Sequence, residues 1–149
     1  MQRWIIYMAA IIIMVSCKSE SSERVPDVSD IDIDYKVVRF EQLMSALDTN
    51  NLAEEVKALN EAHTPFYSVY FRNVLPFDTK TEEGFLSNLQ VYLSDSRIQK
   101  LQDTTEMIFS DFEESVLPDL HQSFKLMKHY FPEFTPPNIY TFISEYTYQ

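Results

Sequence analysis

Asp30-Ile31-Asp32-Ile33-Asp34-Tyr35-Lys36-Val37-Val38-Arg39-Phe40-Glu41-Gln42-Leu43-Met44-Ser45-Ala46-Leu47 changes its hydrophobic period half-way along, and that change decides the fold class. Ile31, Ile33, Tyr35 and Val37 alternate with Asp32, Asp34 and Lys36, the two-residue period of a strand with one buried face. From Phe40 the apolar residues fall instead at Phe40, Leu43, Met44 and Leu47, the i, i+3, i+4, i+7 stripe of a short amphipathic helix. A strand feeding directly into a helix predicts an α+β chain.

Toward the C-terminus the helical period takes over. Asn51 can cap a helix carrying Leu52, Val56 and Leu59, and Thr64-Pro65 offers a second start with proline at the first helical position. In Phe66-Tyr67-Ser68-Val69-Tyr70-Phe71 the pairs Phe66/Tyr70 and Tyr67/Phe71 are each four apart, so this helix is apolar on two sides and belongs at the centre. Leu75-Pro76-Phe77-Asp78 breaks the chain. Thr79 or Thr81 restarts it into a helix with Phe85, Leu86, Leu89, Tyr92 and Leu93, and Asp95-Ser96 caps a shorter piece with Ile98 and Leu101. Ile108, Phe112, Val116, Leu120, Phe124, Met127 and Tyr130 then predict one long helix from Thr104 to His129, bent at Pro118. Ile139-Tyr140-Thr141-Phe142-Ile143 reads as a closing strand.

The expected architecture is therefore predominantly α-helical: several short amphipathic helices, one long Pro-kinked helix, and a short strand near each end. Tyr146-Thr147-Tyr148-Gln149 continues the strand pattern with nothing left to cover it. Such an edge invites pairing with other chains, so the expectation is an incomplete domain, the amino-terminal portion of something longer.

Toward the N-terminus the chain carries an export leader. Arg3 precedes an apolar run, Trp4 to Val15, and small Ser16 stands before Cys17, the single cysteine of the sequence. Twelve apolar residues reach ~18 Å along a helix, short of the ~30 Å of a bilayer core. The run reads as a lipoprotein signal of residues 1–16 that leaves Cys17 acylated. Two or more acyl chains make membrane attachment effectively permanent. Lys18 to Ser29, rich in Ser and Glu, reads as a flexible tether over 17–29, and 30–149 as a single domain.

Composition removes several classes of function. A formal charge of −11 repels phosphate backbones, so nucleic acid is not an expected partner. One glycine, Gly84, in 149 residues leaves no means of writing a phosphate-binding loop, and no nucleotide is expected. With Cys17 carrying lipid no disulfide can form, and eleven Phe and nine Tyr must supply the core.

Sites of chemistry are sparse. The histidines are His63, His121 and His129; the last two lie eight apart, about 12 Å along a helix, too far to share one metal. Asp30, Asp32, Asp34 and Glu41 match positions 1, 3, 5 and 12 of a calcium loop, but Tyr35 stands where the turn needs glycine. A strand whose other face holds carboxylates in solvent fits the alternation better. Glu82/Glu83 suit the start of a helix, Glu113/Glu114 a solvated helix face, and no G-x-S-x-G supports acyl transfer. No catalytic, cofactor-binding or metal-ligating residue is assigned. Phe66 to Phe71 reads as core. Tyr140, Phe142, Tyr146 and Tyr148 are candidates for a partner surface formed by strand addition.

As a set, Cys17, Asp27-Val28-Ser29-Asp30-Ile31, Lys36-Val37-Val38-Arg39-Phe40-Glu41, Tyr130-Phe131-Pro132 and Tyr140-Thr141-Phe142-Ile143-Ser144 resemble the gliding-motility lipoprotein GldB family of Bacteroidetes-type bacteria. The resemblance spans essentially the whole chain and about the first half of a typical member. It implies a cell-envelope lipoprotein of the gliding machinery, without established enzymatic activity and with other motility or envelope proteins as partners. The family is also distantly similar to zinc-dependent peptidases whose metal-binding helix would lie beyond residue 149. A truncated metallopeptidase-like protein and an envelope ligand-binding lipoprotein therefore stay open as alternatives.

Overall fold

The computed structural model describes residues 25–75, 77 and 80–144. The leader, Cys17, most of the tether, Tyr146 and Tyr148 lie outside the described residues. Contacts divide the chain into two units, Met1–Asp30 and Ile31–Gln149. In the first, the described residues form a turn in which Asp27 Oδ1 accepts from the Ser29 amide at 3.0 Å. Hydrogen bonds from Ser29 hold the Asp27 carboxyl below its usual range.

The second unit runs β1 (Val37–Arg39), α1 (Phe40–Ser45), α2 (Leu52–Val69), a π-helical turn (Tyr70–Val74), α3 (Glu82–Ser94), α4 (Ser96–Ile108), α5 (Phe112–Ser115), α6 (Leu117–Tyr130) and β2 (Ile139–Thr141). It is mostly helical with two short strands, as the change of period foretold. The strands pair in parallel with Val37 opposite Ile139, Val38 opposite Tyr140 and Arg39 opposite Thr141. Asn138 starts the ladder: its side-chain oxygen accepts from the Lys36 amide at 3.2 Å while the Ile139 amide donates to the Lys36 carbonyl at 2.8 Å.

Both strands are shorter than their patterns suggested. Ile31 to Lys36 keep the expected alternation, half-buried then exposed, yet only Val37–Arg39 find a partner. The helix beginning at Phe40 ends β1, and β2 stops at Thr141 where its partner runs out.

Helix starts follow local chemistry. Thr81 Oγ1 accepts from the Gly84 amide at 3.1 Å and Asp95 Oδ1 from the Arg97 amide at 2.8 Å, each satisfying a donor with no partner inside its helix. Asn51 stands at the start of α2 but binds Glu54 Oε2 through its side-chain amide rather than a backbone amide. Thr64-Pro65 does open a second helical stretch: α2 is two helices that meet across a kink just before it. Proline lacks the donor and crowds the carbonyl four residues back, and the backbone yields at His63, with φ −133° and ψ 31°.

The expected long helix from Thr104 to His129 is absent. Thr104 lies within α4, which ends at Ile108; the chain turns through Phe109 to Asp111, makes one turn of α5 and restarts as α6. Pro118 causes no kink because it occupies the first turn of α6, where a backbone donor would have no intrahelical partner.

The core gathers around Phe40 and Leu89, both fully buried, with Met44, Leu52, Tyr70 and Phe71 among the residues enclosing them. Tyr70 and Phe71 reach it together because the chain widens there: the Leu75 amide donates to the Tyr70 carbonyl five residues back at 3.0 Å. A second apolar group joins Phe124 of α6 to Tyr35 edge-on, with ring centroids 5.0 Å apart.

Candidate functional site: the carboxyl ends of the paired strands

Side chains alternate across a strand, so the ladder sorts its residues onto two faces. On one face Val38 and Tyr140 are followed by Phe40 and Phe142. On the other Arg39 and Thr141 are followed by Glu41 and Ile143.

The first face is aromatic. Tyr140 stacks flat on Phe66, with centroids 4.3 Å and planes 7° apart, and its hydroxyl shares a hydrogen bond with His63 Nδ1 at 3.3 Å. Phe40 meets Phe66, Tyr70 and His63 edge-on. Phe142 lies 5.9 Å from both Phe66 and Tyr70 and is 38% exposed. Of the proposed partner-surface residues, then, Tyr140 is half-buried against α2 and Phe142 reaches solvent. The aromatic block Phe66 to Phe71 turns its rings to Phe40, Tyr140 and Phe85.

The second face is polar. Glu41 is the buried charged side chain among the described residues, 5% exposed. Its Oε1 accepts from Arg39 Nε, its Oε2 from Thr141 Oγ1 at 2.7 Å, and its backbone carbonyl from Gln102 Nε2 at 3.0 Å. The Arg39 guanidinium carbon sits 4.4 Å from the centroid of Phe112, a cation–π contact made alongside the ion pair with Glu41.

This ion pair separates two concave surfaces. Arg39 lines an open trough of roughly 410 Å³ with Asp34, Phe112, Glu113 and His121. Glu41 lines a more enclosed cleft of roughly 200 Å³ with Met44, Leu93, Ile98, Gln102 and Ile143. Glu41 and Ile143 each lie two residues past the end of a strand, so the cleft opens beyond the carboxyl ends of a parallel pair.

The calcium-loop spacing does not assemble. Asp30, Asp32 and Asp34 are exposed while Glu41 turns inward to Arg39 and Thr141. His121 is half-buried near the start of α6, 6.0 Å from the Tyr35 ring, and His129 is exposed in its last turn. Among the described residues no three of His, Cys, Asp and Glu stand close enough to hold a metal ion. Sequence reasoning missed the inward turn of Glu41 and the His63–Tyr140 contact.

The family model of the gliding motility protein GldB matches residues 21–149. The chain belongs to the GldB family. No curated protein and no solved structure matches it. The GldB match takes in β1, β2 and the whole helical unit, so both faces of the strand pair fall within the family region. Among the described residues no helix is long and apolar enough to cross a membrane.

Proposed function

We propose that this GldB-family chain is a lipoprotein of the bacterial gliding-motility machinery, held in the cell envelope by acyl chains on Cys17 and acting as a non-enzymatic docking domain. The family match over residues 21–149 carries the motility assignment. The anchor rests on Cys17 following an apolar run too short to span a bilayer. A tether rich in Ser and Glu holds the helical unit off the surface, at the outer membrane or the periplasmic face, where its partners are other motility or envelope proteins.

The test follows palmitate incorporation, membrane fractionation and colony spreading for the parent and for Cys17→Ser. Loss of label, release from the membrane fraction and loss of spreading in the variant support the reading. Unchanged processing and fractionation would reject the anchor, and normal spreading in a strain lacking the protein would reject the motility role.

A further inference from the structure

Large apolar side chains exposed singly are ordinary on a protein surface, whereas a contiguous run of them marks a contact. The end of α4 carries such a run: Met107 is 71% exposed, Ile108 59% and Phe109 44%. The backbone there is held on both sides. The Phe109 amide donates to the Thr105 carbonyl at 3.0 Å, and the Phe112 amide donates to the Phe109 carbonyl at 3.2 Å. Phe112 itself is buried, with the Arg39 guanidinium against its ring. The turn thus commits one aromatic ring to the fold and presents the other to solvent.

Charge around this tip has one sign. Asp103 and Glu106 precede it on α4, Asp111, Glu113 and Glu114 follow it, and all are exposed. No Lys or Arg lies between Lys100 and Lys125, and among the described residues none of these carboxylates stands in an ion pair. Such a rim repels the anionic headgroups of a membrane surface, and equally the same tip on a second copy. It attracts a surface bearing Lys and Arg and speeds encounter with it.

We propose that Met107, Ile108 and Phe109 form a knob that docks into an apolar socket bordered by Lys and Arg on a protein partner. Methionine and aromatic side chains are enriched at the centres of interfaces, and a polar rim around them sets which partner fits. Because hydrogen bonds already fix the turn, docking orders little further backbone. The inference deepens the docking role proposed above and rests on that reading, supplying the surface and the chemistry of what it meets.

The experiment replaces Ile108 of the full chain, in its native cells, with the photoreactive p-benzoylphenylalanine, and uses Val91 of α3, 69% exposed, as the control position. Mass spectrometry then maps the peptide captured on irradiation. A protein product specific to position 108, mapped to an apolar site flanked by Lys or Arg, is expected. Glu113→Lys with Glu114→Lys should cut its yield about tenfold or more, with the urea midpoint unchanged because both side chains are exposed. Capture of lipid, of a second copy, of another part of the same chain or of a site without basic residues overturns the proposal, as does no product or an undiminished yield after charge reversal. Colony spreading separates this result from the motility role. Normal spreading in a strain lacking the protein, with the cross-link intact, rejects that role and leaves the docking surface standing; loss of spreading with no cross-link at 108 rejects the surface alone.

Discussion

The Thr141 hydroxyl donates to the buried Glu41 carboxylate at 2.7 Å, across one hundred residues of sequence. The bond closes a three-residue parallel ladder that has little strength of its own, since parallel pairing is the weaker arrangement and a two-stranded sheet is marginal in water. Glu41, Arg39 and Thr141 therefore act as a clasp between the first and last elements of the unit.

Thr141→Val should destabilise the fold by about 1–3 kcal/mol, because it leaves a buried carboxylate oxygen without its donor. Glu41→Ala should cost at least as much, since it leaves Arg39 unpaired with its side chain 18% exposed. The two losses should not add: once Glu41 is gone, Thr141 has no charge to serve, and a double-mutant cycle by urea unfolding should show about 0.5–3 kcal/mol of coupling. Additive losses would mean that the two residues stabilise the unit independently.

Tyr140 tests the other face. Removing its ring with Tyr140→Ala deletes the stack on Phe66 and opens the space between β2 and α2, and should cost about 2–4 kcal/mol for a half-buried aromatic. Tyr140→Phe keeps the stack and loses only the bond to His63, so about 0.5–1.5 kcal/mol is expected. The ratio of the two, from thermal or urea melts, separates packing from hydrogen bonding at this site.

How far these features were legible depends on whether the signal was local. The shift at Phe40 from a two-residue to a helical period is local, and β1 and α1 meet there. The Thr81 and Asp95 caps were readable for the same reason. Pairing of Val37–Arg39 with Ile139–Thr141 was not, because alternation says which face of a strand is buried and nothing about which distant strand lies beside it. Pro118 misled because proline is compatible with both a kink and a first turn; what decides between them is the turn at Phe109 to Asp111, where no proline or glycine marks the break. Glu41 was grouped with exposed carboxylates because its burial depends on Thr141 and Gln102, both far away in sequence.

Pro118→Ala follows from that correction. Within a continuous helix, replacing proline with alanine would restore a hydrogen bond and stabilise by about 3 kcal/mol. In the first turn of α6 there is no such bond to restore, so the change should stay within about 0.5 kcal/mol. Urea unfolding of the single variant distinguishes the two arrangements.

Two groups give the stability of the fold opposite pH signatures. At Asp95 the Arg97 side chain and then its backbone amide hold the carboxyl down at about 2. A lowered carboxyl pKa stabilises the folded chain fully above the unfolded value of 3.8, and the contribution vanishes as pH falls through about 2. The difference in urea midpoint between the parent and Asp95→Asn should therefore shrink across that acid window. At Tyr67 burial pushes the phenol up from 10.0 to about 12. The unfolded chain then ionises first, so Tyr67's contribution is intact below 10.0 and is lost as pH rises toward about 12. Against Tyr67→Phe, which has no proton to lose, the parent should fall progressively behind through that alkaline window. Ultraviolet titration should show one phenol ionising late in the folded parent and missing from the variant. A parent and variant that keep a constant difference at every alkaline pH would mean that the Tyr67 hydroxyl is as well solvated folded as unfolded.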